Sequence, residues 1–179
     1  AIYLREKAYM KTTLYLVRHG ETVDNANQIL QGQEPGRLNQ TGIKQAETVR
    51  DKMKNTAIDV FMSSDLRRAI QTCEMIAAPH HKPIETTPLL RERDWGDLTG
   101  RYIPELQTIT EWPENVESLE AMRNRARDFL TMLQTKYEGK TILAVGHGII
   151  NKAVQSVYFN KPMKEIEKMS NAEVRMLIL

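Results

Sequence analysis

Leu14-Tyr15-Leu16-Val17-Arg18-His19-Gly20-Glu21-Thr22 decides how this chain is read. Its first half alternates and then runs apolar, with aromatic and β-branched residues, which predicts a buried strand. The strand ends abruptly in Arg18-His19-Gly20, so a guanidinium and an imidazole stand where a strand hands over to a loop. In open α/β sheets the ligand crevice lies outside the carboxyl ends of the strands. An imidazole beside a guanidinium suits an anionic substrate, because Arg grips phosphate with a bidentate fork and a neutral imidazole can attack. The tripeptide alone is weak ground, since an Arg and a His solvated at a strand end would look the same.

A second strand end of this kind lies far downstream. Thr141-Ile142-Leu143-Ala144-Val145 is apolar in the manner of a strand buried in a parallel sheet, and it runs into Gly146-His147-Gly148. Flanking glycines let a ligand approach backbone, and helical spacing follows from Ile149 to Phe159. A third strand, Asp59 to Met62, leads into Ser63-Ser64-Asp65, all N-cap residue types. The helix predicted after it buries Leu66, Ala69, Ile70, Cys73, Ile76 and Ala77 and stops at Pro79. It sets Arg67 and Arg68 in a first turn whose dipole favours anions over cations, which points to a use beyond helix stability.

Outward from these ends the chain alternates strand and helix. Glu21 to Leu38 is polar and reads as a loop or short helix lying over the site. Thr41 is expected to cap a helix burying Ile43, Ala46, Val49 and Met53. Ile84 to Leu90 reads as a strand broken by Pro88, and Arg91 to Gly100 as a solvated charged loop. A long helix from Ser118 to Gln134 should bury Leu119, Met122, Ala126, Phe129, Leu130 and Leu133. Lys161 to Lys168 reads as a short charged helix, and Val174 to Leu179 as the last strand. His80-His81, between two prolines, reads as a surface loop. The pattern is that of an α/β protein.

At 179 residues the chain fits a single domain over 1–179. Ala1 to Tyr9 precede a Met10-Lys11 that looks like a start, so these nine residues are expected to be an extension. A net charge of +2 leaves no broad basic field, so neither nucleic acid nor an acidic membrane is expected as a partner. No apolar run has the length of a membrane span and no signal-peptide pattern opens the chain. The single Cys73, on the apolar stripe of its helix, fits a reducing compartment, and a cytoplasmic location is expected. There is no His/Cys cluster at zinc spacing and no Walker-type loop, so neither metal nor cofactor is expected.

Five motifs in order resemble the histidine phosphatase superfamily, also called the phosphoglycerate mutase-like family, over Thr12 to Leu179. They are LVRHGET at the first strand, the LxxxG of Leu38 to Gly42, SSDLRRAIQT from Ser63, the ExxxGxxxG of Glu92, Gly96 and Gly100, and VGHG at Gly146 to Gly148. The resemblance implies a three-layer α/β/α sandwich with a mostly parallel central sheet. It implies His19 as the nucleophile that becomes phosphorylated, with Arg18, Arg68 and His147 forming the phosphate pocket. The pocket arginine is the one directly before Ala, hence Arg68, leaving Arg67 as a solvent-facing neighbour. Asn25 matches a further phosphate contact and Glu92 the proton donor. Gln31-Gly32 matches a pocket-rim pair that is usually Thr-Gly in mutases.

The departures bear on the reaction. Gly36-Arg37-Leu38-Asn39 replaces the usual Pro-Leu-Thr before the first long helix, and Asn115-Val116-Glu117-Ser118 stands where many phosphatases carry Gly-Gly-Glu-Ser. The segment after Glu92 is short, and the chain stops at its final strand, whereas cofactor-dependent mutases have a longer insertion and a closing tail. Hydrolysis of a small phosphomonoester is therefore the expected reaction. The competing readings are a phosphoglycerate mutase primed by a bisphosphate, a protein phosphohistidine phosphatase, and a non-catalytic phospho-ligand module; Glu92 counts against the second, and retention of His19, Glu92 and His147 against the third. Arg101, Tyr102 and Trp112 are candidates to face the substrate.

Overall fold

A computed structural model of the chain describes residues 11–179; the expected extension, Ala1 to Tyr9, lies outside the described residues together with Met10. Five strands, β1 (Thr13–Arg18), β2 (Val60–Ser64), β3 (Ile84–Thr87), β4 (Thr141–Gly146) and β5 (Val174–Ile178), form one sheet in the order β3-β2-β4-β1-β5. The first four run parallel, and β5 closes one side antiparallel to β1. The helices are α1 (Val23–Ala26), α2 (Gln40–Met53), α3 (Arg67–Ala77), α4 (Leu119–Lys136) and α5 (Gly148–Phe159).

Because side chains alternate along a strand, β1 and β4 feed two cores. Leu14, Leu16, Ile142 and Ala144 pack with Met122, Phe129 and Leu133 of α4 and Ile150 and Val154 of α5. Val17, Leu143 and Val145 pack with Val49 and Met53 of α2 and Ala69, Cys73 and Ile76 of α3. A helical layer thus covers each face of the sheet, which is the expected sandwich. Burying each such Leu, Ile or Phe stabilises the fold by roughly 1.5–3 kcal/mol. Register then does the functional work: Arg18 lies opposite Gly146, so His19 and His147 leave neighbouring strands at one level.

Several local expectations need correction. Helix α2 is capped by Asn39, whose side chain accepts from the Gly42 amide at 2.8 Å; Thr41 lies inside the helix, exposed. Ser63 and Ser64 belong to β2, and Leu66 is the N-cap of α3 without a side-chain bond. Ile70 is only half-buried, because the buried face of α3 runs through Arg68, Ala69, Thr72, Cys73, Ile76 and Ala77 and leaves it at the margin. Leu119 is 44% exposed, being the first residue of α4, beyond the rim of the sheet. Pro88 starts a 3-10 turn through Leu90, since it cannot donate to the ladder. Lys161–Lys168 forms only a 3-10 turn, Met163–Glu165. His80 packs its ring on Phe61, with centroids 4.8 Å apart.

Candidate active site

His19 is held by its backbone. Its amide donates to the Gly146 carbonyl at 3.2 Å, and its own carbonyl accepts from Ala172 N at 3.1 Å and Asn171 Nδ2 at 3.2 Å. The ring is buried, and Nδ1 lies 2.6 Å from the Gly20 carbonyl. A carbonyl only accepts, so the proton is on Nδ1 and Nε2 carries the lone pair. Arg68 Nε–H points at that lone pair from 3.4 Å. Burial, Arg68 and Arg18 hold the imidazole pKa well below its usual value, against a smaller opposing effect of the Gly20 bond. His19 is therefore a neutral imidazole whose Nε2 lone pair is free of a proton, and it lines the pocket.

Two arginines flank it. Arg18 donates from Nη1 to the Met169 carbonyl at 2.8 Å, while its Nε–H is buried with no acceptor among the described residues. Arg68 is 1% exposed, and burial pushes its pKa down to about 10, still protonated at neutral pH. Nη1 donates to the carbonyls of Glu34 and Pro35 (3.4 Å) and Nη2 to that of Gly32 (2.7 Å), which holds the rim loop and leaves one Nη2 hydrogen uncommitted among the described residues. Arg67, its neighbour, is exposed. Asn25 completes the capping box of α1, whose N-cap is Thr22, its Oδ1 accepting from Thr22 N and Asn171 Nδ2, which leaves its own Nδ2 donor uncommitted among the described residues. Gln31 and Gly32 are buried at the rim, Gly32 with φ +55° and its missing Cβ space filled by Arg93 and Trp95.

His147 is the N-cap of α5 and fully buried, its ring 5.0 Å from that of His19. Nε2 lies 2.7 Å from Ser64 Oγ, and Nδ1 has no partner among the described residues. Burial, then Arg68, His19, Arg18 and Arg125, keep its pKa well below the usual value. Glu92 reaches in from the loop after β3. Its Oε1 accepts from Arg93 N and Ile150 N and its Oε2 from Ile149 N, each at 3.0 Å. Placing a carboxylate on the first amides of α5 is favourable. It also leaves one lone pair uncommitted, on Oε2, since each carboxyl oxygen accepts two bonds.

Arg18, His19, Asn25, Gln31, Gly32, Arg68 and Glu92 line one cavity of about 140 Å³; His147, beside it, adjoins the lining residue Gly148. A wider open groove of about 620 Å³, between α4 and residues 162–164, brings none of them together. The sequence reading missed four contributors. Lys168 lines the cavity mouth, where burial and the Arg18 charge lower its pKa. Trp95 and Ile103 form apolar wall in place of Arg101, Tyr102 and Trp112, none of which lines the cavity. Trp112 instead stacks on Trp95 at 5.4 Å, with Arg93 over both rings. Ser64 is the fourth, and its polar residue type at the end of β2 was the available signal. Among the described residues no group of three or more His, Cys, Asp or Glu is placed to hold a metal ion, and no helix is long and apolar enough to cross a membrane.

A mostly parallel α/β sandwich whose strand ends converge two neutral histidines and two arginines on one small cavity is an anion-handling enzyme framework. The chain belongs to the histidine phosphatase superfamily (branch 1), whose family model matches residues 14–179. It is 36% identical over 141 residues to a protein of Bacillus subtilis (strain 168) named uncharacterized phosphatase PhoE, covering 76% of this chain and 72% of that one. To the probable phosphoglycerate mutase GpmB of Proteus mirabilis (strain HI4320) it is 35% identical over 162 residues, 83% of this chain and 75% of that one. Bacillus stearothermophilus YhfR superposes with a TM-score of 0.86 at 25% identity, over 92% of this chain and 90% of that one.

Proposed function

We propose that the protein is a metal-independent phosphatase of small phosphomonoesters that works through a phosphohistidine on His19. One observation carries the reading: a buried imidazole lone pair stands beside two buried nitrogens, Arg18 Nε and His147 Nδ1, that have no partner among the described residues. A phosphoryl group supplies the electrophile for the first and acceptor oxygens for the others. In the first step His19 Nε2 attacks phosphorus in line and the ester P–O bond breaks. Arg18, Arg68, Asn25 and His147 hold the equatorial oxygens, so the protein itself supplies the charge stabilisation. The leaving alkoxide takes the proton that the acid form of Glu92 carries on Oε2, the carboxyl oxygen with an uncommitted lone pair, and Glu92 is left as the carboxylate. Water then attacks the phosphohistidine, Glu92 accepts its proton, the N–P bond breaks and inorganic phosphate departs.

The names of the relatives cover both phosphatase and mutase, and the fate of the phosphoryl group separates the two. The small cavity, with Ile29, Trp95 and Ile103 in its wall, supports a compact ester. The lone, buried Cys73 fits a reducing compartment, and we place the enzyme in the cytoplasm. A panel of phosphomonoesters, assayed with and without a bisphosphoglycerate primer, tests the reaction. The expected outcome is release of inorganic phosphate without primer, unaffected by chelation and inhibited by vanadate. Acid-labile, alkali-stable phosphate should be trapped on His19 after a quench and be absent from His19→Ala. Primer-dependent isomerisation without phosphate release would make the protein a mutase, and loss of activity on chelation restored by a divalent ion would overturn the metal-free mechanism.

A further inference from the structure

We propose that Ser64 is a positioning residue: its hydroxyl fixes the tautomer of His147, so that His147 offers a proton, not a lone pair, to the phosphoryl group. The inference rests on reading the cavity as a phosphoryl site, and it concerns a residue at the end of β2, 83 positions from its partner.

The hydroxyl has one hydrogen and two lone pairs. Ser64 is fully buried, so its hydrogen must find an acceptor within the protein. The Leu66 amide donates to Oγ at 3.3 Å, which uses one lone pair. Ser63 Oγ bonds the Ser64 carbonyl and leaves Oγ alone. Among the described residues the one acceptor for the hydroxyl hydrogen is His147 Nε2, at 2.7 Å. With Ser64 as donor, Nε2 holds the lone pair and the ring proton sits on Nδ1, the buried nitrogen with no partner among the described residues. The reverse arrangement, Nε2–H donating to Oγ, strands the buried hydroxyl hydrogen and turns an imidazole lone pair toward anionic oxygens. Burial and the surrounding charges of Arg68, Arg18 and Arg125 keep the ring neutral, so a choice between tautomers is the relevant one.

His19 and His147 then share a tautomer and differ in what they present. His19 spends its Nδ1–H on the Gly20 carbonyl and turns the Nε2 lone pair to phosphorus. His147 spends its Nε2 lone pair on Ser64 and turns Nδ1–H to a phosphoryl oxygen. Backbone orients the nucleophile, and a side chain orients the donor.

Two-bond ¹H–¹⁵N correlation of the histidine rings, in substrate-free protein, reads this directly. With four histidines in the chain, His19→Gln and His147→Gln assign the two buried rings. In the wild type, His147 should show a protonated Nδ1 and an unprotonated Nε2. In Ser64→Ala the ring should move to Nε2–H or to a mixture, while His19 keeps its pattern. On the phosphatase reading, kcat/KM should fall by about ten- to a hundredfold, the range for an orienting partner of a site residue. An Nε2–H tautomer in the wild type, or an unchanged His147 in Ser64→Ala, overturns the proposal. Should Ser64→Ala not fold, Ser64→Cys, with a poorer donor, is read by the same criteria. Since the tautomer is measured without substrate, inactivity toward phosphomonoesters would refute the proposed function and leave the tautomer result standing.

Discussion

At the scale of the residue, Glu92 has a structural place in the fold and, on the proposed mechanism, a chemical one as well. Two of its three amide bonds, from Ile149 N and Ile150 N, tie the loop after β3 to the first turn of α5, and the third, from Arg93 N, is made within the loop. In Glu92→Gln the carboxamide oxygen can still accept from Arg93 and Ile150, but its NH2 confronts the Ile149 N–H, a donor against a donor. The substitution should therefore cost about 1–3 kcal/mol of stability, read as a lower midpoint in chemical denaturation. It should also slow phosphorylation by about a hundred- to ten-thousandfold for an alkyl phosphate, whose alkoxide needs a proton, and far less for p-nitrophenyl phosphate. That step is read from kcat/KM, because kcat can report breakdown of the phosphoenzyme. Asp94 and Asp97 are the controls, being exposed and engaged with Gly96 N and Asn115 Nδ2. If Asp94→Asn or Asp97→Asn discriminates between the leaving groups and Glu92→Gln does not, the proton donor has been misassigned. None of this is legible in Arg91-Glu92-Arg93-Asp94, which as a string of charges looks solvated. The charges are satisfied by distant groups: Arg91 by a bidentate pair with Asp65, Arg93 by the Glu117 carbonyl and two indoles.

At the scale of the element, the apolar runs of β1 and β4 and the histidines at their ends could be read directly, since a strand buried on both faces has few alternatives in sequence. Helix starts were less legible, because a cap depends on where the chain turns. Asn39 rather than Thr41 caps α2 because the segment Gly20-Glu21 passes against Gly42 at that point. A Cβ on Gly42 would lie 2.0 Å from the Glu21 carbonyl oxygen, and one on Gly20 would lie 2.6 Å from that of Gly42. The Gly of the LxxxG motif is thus a contact surface for the loop that carries His19. Gly42→Ala must push that loop or the start of α2 aside. The expected result is a stability loss of about 1–3 kcal/mol together with, on the proposed mechanism, a fall in kcat/KM, because Glu21 is two residues from His19. Denaturation and steady-state kinetics on the same preparation check it. Full activity with wild-type stability would show that the loop can shift freely, and that the close approach does not position His19.

At the scale of the whole molecule, the fold burdens itself to keep its site working. Both histidines are buried among cations, so folding holds them neutral, whereas an unfolded chain protonates them near pH 6.5. The sign follows from linkage. Where the unfolded state binds more protons, stability rises with pH. Here the folded pKa values lie below the unfolded ones, so stability falls as pH drops below about 6.5 and goes on falling until the folded values are reached. Each histidine contributes a slope that approaches about 1.4 kcal/mol per pH unit in that window. The same shift preserves the His19 lone pair in mildly acidic solution, where an ordinary imidazole would have lost it. A direct check is the unfolding free energy between pH 7.5 and 5.0, from denaturant titrations of the wild type, His19→Gln and His147→Gln. Each variant should lose stability less steeply than the wild type on acidification, since each removes one group that the unfolded state protonates and the folded state does not. His80 and His81 are common to all three proteins, so their contribution cancels in the comparison. Parallel curves for all three would mean that the buried imidazoles take up protons in the folded state as readily as in the unfolded one. His19 would then not be held neutral by its surroundings.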